Sequence, residues 1–157
     1  MTSGRLMGIA RHDRPRGPME TLDHVAVTFS EGLHGDFRGA VRPGKRPRRQ
    51  VSLIEAESWA AALAELGRPD DPVLPWWVRR ANLLTQDIRL PREVGAVIAI
   101  GADLRIEVTT ECDPCSRMEE IASGLKAVLT PDWRGGVLGR VIAEGDIAVG
   151  DEIRIFA

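Results

Sequence analysis

Hydrophobic and polar positions alternate in short bursts along most of this chain. The stretches 5–10 (RLMGIA), 24–30 (HVAVTFS), 49–54 (RQVSLI), 96–101 (AVIAIG), 104–110 (LRIEVTT), 139–145 (GRVIAEG) and 152–157 (EIRIFA) are rich in Val and Ile and bounded by Gly, Pro and Asp. Such runs predict strands. In the last third the strands follow one another through tight reversals, because GAD at Gly101 and EGD at Glu144 each supply a residue that tolerates positive φ. A small antiparallel barrel or sandwich is expected rather than a parallel sheet.

Two segments change period from two to 3.6. Over 55–66, Trp59, Ala62, Leu63 and Leu66 share one helical face, Ser52 and Glu55 stand at capping-box spacing, and Gly67 supplies the stop. A second helix is predicted directly after residue 115, with Ser116 and Glu119 as another S-x-x-E box and a buried stripe of Met118, Ile121, Leu125 and Val128 or Leu129.

Composition narrows the function classes. The 157 residues are 43% hydrophobic and 28% charged with a formal net charge of −2, so nothing global calls for nucleic acid or an anionic membrane. Residues 1–20 hold no apolar core of signal-peptide length, and the longest weakly polar run, 94–102 (VGAVIAIGA), is too short to span a bilayer. A cytoplasmic location is expected, with no membrane partner. There thiols stay reduced, so two cysteines point to chemistry, metal binding or packing rather than to a structural disulfide.

Both cysteines lie in ECDPCSRMEE, 111–120. Cys115 precedes a predicted helix start, where unpaired N–H groups and the positive end of the macrodipole favour a thiolate; Arg117 adds a cation and Pro114 stiffens the approach. Cys112 has Glu111 and Asp113 beside it, so its thiol is expected to be the less acidic. Three readings stand: a dithiol couple, a zinc site, or two packing residues. The second is short of ligands, since a structural zinc takes four and only the scattered His12, His24 and His34 remain.

Elsewhere the polar residues gather in three places. Arg38, Arg42, Lys45, Arg46, Arg48 and Arg49 form a basic run without an acidic residue, either a solvated loop or an anion site, because guanidinium groups grip phosphate and carboxylate bidentately. With three Phe and no Tyr for stacking, nucleic acid is disfavoured as its partner. In WWVRRANLLT, 76–85, the tryptophans read as core or loop anchors, while Arg80 and Asn82, two apart in an extended-looking segment, would point to one face as a hydrogen-bonding patch. In GLHGDFRG, 32–39, His34 and Asp36 read as turn-stabilising groups.

In this order the pieces EGLHGDFRG, RQVSLIEAES, RRANLLT, IGADLRIEVTTECDPCSRM and GVLGRVIAEGDIAVGDEI resemble the MOSC family, the domain similar to the C-terminal part of molybdenum-cofactor sulfurases. The resemblance runs from about residue 6 onward. It implies a mainly β fold, a small closed or partly open antiparallel β-barrel with two helical insertions, formed by residues 1–157 as one domain. It implies a molybdenum cofactor (molybdopterin), with Cys115 as the key residue, either accepting sulfane sulfur as a persulfide or ligating molybdenum. Arg49, Arg80, Asn82 and Arg117 are the cofactor-binding candidates. Sulfurtransferase and cofactor-dependent activities are both open. Cys112 departs from the usual pattern and suggests a resolving thiol, and Arg80 stands where small residues are frequent. The chain is too short to hold a pyridoxal-phosphate desulfurase half, so sulfur would come from or go to a partner, a cysteine desulfurase or a molybdoenzyme. Two rivals remain: a non-catalytic binding module gripping an anion with its basic loop, and a Cys112/Cys115 thiol–disulfide switch.

Overall fold

The computed structural model describes residues 3–41 and 48–156 of the chain. In chain order its strands and helices are β1 (Ser3–Arg11), β2 (Glu20–Leu22), β3 (His24–Thr28), β4 (Gly32–Leu33), β5 (Val51–Glu55), α1 (Ala56–Glu65), β6 (Leu83–Gln86), β7 (Val97–Ile100), β8 (Leu104–Glu111), α2 (Ser116–Ile121), α3 (Leu125–Leu129), β9 (Val137–Ala143), β10 (Gly145–Ala148) and β11 (Glu152–Phe156). Short 3₁₀ turns occupy Trp76–Arg79 and Pro131–Trp133. All seven strands expected from the alternation are present.

Seven strands close a barrel in the order β1-β11-β7-β8-β9-β5-β6, sealed where Ser3 pairs with Arg154 and Leu6 with Thr85. The fold is therefore mainly β and the barrel is closed. One pairing departs from the antiparallel expectation: β5 and β6 run parallel, with Leu53 opposite Leu83, because α1 and the segment after it carry the chain back before β6 enters. A smaller sheet, β10-β3-β4, lies outside this ring. Its first strand corrects the reading of EGD. Gly101 does turn at φ +65, but Gly145 opens β10 opposite Val27 instead of making a left-handed turn, and a Cβ there would stand 2.6 Å from the Leu104 nitrogen.

Strand burial shows why the pattern was readable. Along β8, Leu104, Ile106 and Val108 face the core while Arg105, Glu107 and Thr109 face outward. β5 is different, because Val51 and Leu53 join the barrel core while Ile54 joins a second core beneath the helices. In that second core, Trp59, Ala62 and Leu63 of α1 meet Met118 of α2 and Leu125 and Leu129 of α3. Full burial of each large side chain contributes about 1.5 to 3 kcal/mol, which makes this apolar face the main tether of the short helices.

Neither expected capping box forms. Helix α1 starts after Glu55, whose carboxylate instead accepts from Ser58 Oγ (2.6 Å), Leu90 N (2.6 Å) and Arg92 Nη1 (3.1 Å). At the second site Cys115, not Ser116, is the N-cap residue. The expected second helix is broken in two by extended Ala122 and left-handed Gly124 (φ +88), and Glu119 spans the break by accepting from Gly124 N and Lys126 N. The insertions thus comprise three short helices. No helix among the described residues is long and apolar enough to cross a membrane.

Candidate functional site

Strand β8 ends at Glu111 and delivers the cysteine loop to the barrel rim, with Pro114 buried between half-buried Cys112 and exposed Cys115. Cys112 N donates to Gly136 O (2.9 Å), pinning the loop to the approach of β9. Cys115 stands at the mouth of α2, as expected, and its carbonyl accepts the first helical bond from Met118 N (2.9 Å).

The loop's main support comes from a residue the sequence did not single out. Arg79, 7% exposed, donates from Nη2 to Cys112 O (2.8 Å), Cys112 Sγ (2.9 Å) and Gly135 O (3.0 Å), and Nη1 lies 3.8 Å from Met118 Sδ. Its Nε has no partner, and no carboxylate meets its guanidinium among the described residues. Cys112 therefore has a cation on its sulfur, where only its acidic neighbours were visible in the sequence.

Arg80 goes elsewhere. It closes the 3₁₀ turn in a left-handed conformation (φ 68, ψ 26), so the segment is not extended as expected, and Nη2 reaches Gly17 O at 2.8 Å. Its guanidinium is held below its usual basicity, first by burial and then by the charges of Arg117 and Arg38, with Asp36 opposing weakly. Arg38 and Arg117, from separate segments, thus act electrostatically on Arg80, and among the described residues neither has an ion-pair partner.

Below this cluster, His12 (4% exposed) and Asp36 are buried together. Asp36 Oδ1 accepts from His12 N (3.2 Å) and Oδ2 from Gly39 N (3.1 Å), the turn-stabilising role expected for it. His12 Nδ1 stands 3.7 Å from Asp36 Oδ1 and has no hydrogen-bond partner. Burial first, then Arg80, lowers the His12 pKa despite Asp36, and burial raises that of Asp36. His34 is exposed and pairs with Glu31 on its turn.

Asn82, 6% exposed, has internal partners: Oδ1 accepts from Ser52 N (3.0 Å) and Ser52 Oγ (3.2 Å), and Nδ2 donates to Ala10 O (3.1 Å). It joins β1, β5 and the entry to β6 beside the cluster. The basic run divides. Arg38 joins Arg80, whereas Arg48 and Arg49 line a cleft of about 1010 Å³ with Glu107, Glu111, Asp113 and Arg140; Arg42, Lys45 and Arg46 lie outside the described residues. Arg49 is therefore not brought into the Arg38/Arg80/Arg117 cluster. In the cleft the Glu111 carboxyl is pushed up by burial and then by Asp113. Trp76 packs in the helical core edge-on to Trp77, ring centroids 6.0 Å apart, as an anchor. No three of His, Cys, Asp and Glu gather as a metal cage among the described residues.

The closed barrel places the chain among small β-barrel domains, and the comparisons identify the family. The MOSC domain model matches residues 32–154, and the chain belongs to the MOSC domain family. Among curated proteins none matches it. Its fold is similar to that of the YuaD protein from Bacillus subtilis (TM-score 0.77, 20% identity, covering 98% of this chain and 95% of that one). It is also similar to YiiM from Escherichia coli (TM-score 0.70, 16% identity, 98% and 70% covered) and to YiiM from Geobacillus stearothermophilus (TM-score 0.64, 15% identity, 98% and 73% covered).

Proposed function

We propose that this protein is a sulfur-carrier domain for molybdenum-cofactor chemistry, with Cys115 as the carrier and Arg38, Arg80 and Arg117 as the seat for an anionic group of the cofactor. The observation that carries this reading is the exposed thiol of Cys115 at the N-cap of α2 with Arg117 two residues on, a cation whose charge, with that of Arg38, acts on Arg80, while among the described residues none of the three has a salt-bridge partner. Mutual repulsion among cations is relieved by an anion, and planar guanidinium forks fit phosphate. The orphaned Nδ1 of His12 beside them is consistent with the same site. These residues fit a phosphate-bearing pterin. When bound, the cofactor would supply a metal centre able to take sulfur or a thiolate.

Chemically, the chain's part is simple. The Cys115 sulfur attacks the outer sulfur of a donor persulfide; a new S–S bond forms, the donor's S–S bond breaks, and the donor leaves as a thiolate. Exposure of Cys115, at the N-cap of α2, allows another protein to reach it. Arg80 and Arg117 hold the acceptor's anion near that sulfur, while Asn82, bonded to Ser52 and Ala10 and acting on Asp36, keeps the wall behind Arg80 in place. The donor in this reading is a cysteine desulfurase, the acceptor a molybdoenzyme or its cofactor, and the setting the cytoplasm.

Incubation with a persulfide-loaded desulfurase, followed by cyanolysis and molybdenum analysis, tests this. About one equivalent of thiocyanate from the wild type and none from Cys115→Ser is expected. Thiocyanate that survives Cys115→Ser would overturn the assignment. Stoichiometric molybdenum without sulfane sulfur would replace carriage by metal ligation.

A further inference from the structure

The Cys112–Arg79 contact is not used by a one-thiol carrier. Arg79 is a buried cation whose acceptors are two carbonyls, a thioether and the Cys112 sulfur, and whose Nε has none. An interior cation without a counter-charge is costly. Of its four acceptors, only the Cys112 sulfur can supply negative charge. Gly135 is fixed in the same clamp: a Cβ there would fall 2.3 Å from Cys112 O and 3.1 Å from Arg79 Nη2, so the glycine allows the guanidinium and the loop to meet. The structure therefore holds one sulfur inward against a cation and leaves the other, three residues on, exposed.

We infer that Cys112 is a resolving thiol that makes the protein release its cargo as sulfide, a proposal that rests on persulfide loading of Cys115. In the step, the Cys112 sulfur, as thiolate, attacks the inner sulfur of the Cys115 persulfide. The Cys112–Cys115 S–S bond forms, the bond between Cys115 Sγ and its outer sulfur breaks, and the outer sulfur leaves with the electron pair as hydrosulfide. The two cysteines are thereby oxidised and the carried sulfur is reduced from the sulfane to the sulfide level. A cellular dithiol then reduces the disulfide by exchange, becoming a disulfide itself. Arg79 is a positioning residue here: it holds the Cys112 sulfur at 2.9 Å and balances its charge.

Loading with inorganic polysulfide removes the need for a donor enzyme and separates this step from the one before it. After desalting, cyanolysable sulfur, free sulfide and intact mass are followed together in the absence of reductant. The wild type should lose its sulfane sulfur, liberate up to one equivalent of sulfide and finish with a Cys112–Cys115 disulfide, whereas Cys112→Ser should keep the persulfide and release sulfide at least about tenfold more slowly. Arg79→Lys, which keeps the charge but loses the fork, should load normally and release more slowly, and a thermal melt of each variant verifies that it is folded. Equal release by Cys112→Ser and the wild type, or stable retention by both, overturns the resolving role while leaving Cys115 as a carrier. Failure of both to take up cyanolysable sulfur overturns the carrier reading and this one with it.

Discussion

Arg79 and Arg80 are consecutive residues serving opposite electrostatic regions. Arg79 is enclosed and donates to fixed acceptors in the cysteine loop and before β9. Arg80, turned away by its left-handed backbone, makes one bond to Gly17 O and is crowded by Arg38 and Arg117. The difference separates a clamp from the proposed seat: a cation whose donors are used internally ties the fold together, while one near like charges would be stabilised by an anion bound from outside.

The largest expected break in that contrast is Arg79→Ala. Two carbonyl acceptors and a sulfur would lose their donor in the interior, a loss of about 3 kcal/mol or roughly 6–12 °C in Tm by differential scanning calorimetry. An unchanged Tm would show that Arg79 is no clamp.

Arg80→Gly is the counterpart. It removes both the crowded charge and the left-handed penalty of about 1–2 kcal/mol, so the Tm should hold or rise, while affinity for the anionic cofactor falls roughly ten- to hundredfold in a binding titration. If affinity is unaltered, the arginine cluster is not the seat.

Asn82→Ala tests the wall between the two. Ala10 O and the Ser52 hydroxyl would lose their amide partner, at about 1–2 kcal/mol, measurable by urea denaturation. A loss of cofactor affinity with no loss of stability would make Asn82 a direct contact instead.

The smallest effect is one of pH. The folded-state pKa of His12 is lowered, by burial and then Arg80, so the unfolded chain binds the proton more readily; the stability it contributes is present above its ordinary value of 6.5 and is lost as pH falls from there through the folded value. Asp36, raised by burial, acts in the opposite sense nearer its own value of 3.8, with its contribution lost as pH rises through the folded pKa. Between pH 7 and 6 a Tm loss of about a degree or two is expected, absent in His12→Gln. An identical slope in that variant would remove His12 as the cause.

Much of the barrel was legible because its strands carry local evidence. In β8 the inward set Leu104, Ile106 and Val108 alternates with polar neighbours, so period and burial coincide. β6 was not legible: four residues, Leu83–Gln86, entered from a polar turn, give too short a pattern, and its parallel pairing to β5 depends on contacts 30 residues apart. The break at Gly124 was missed for a related reason, since Met118, Leu125 and Leu129 are all buried and a single helical stripe fits them equally well.

At the site, Cys115 before a helix and Arg117 beside it could be read locally, because a helix start is written in the residues that follow it. By itself the sequence determined the strand alternation, the two helical insertions, the cysteine loop and a surplus of arginine. Only the tertiary structure decided which arginine serves which region. Arg79 meets Cys112 and Gly135 across 33 and 56 residues, and Arg80 meets Gly17 across 63. Charge acts through space at short range, and the chain's order carries no record of which distant groups the closed barrel brings within that range.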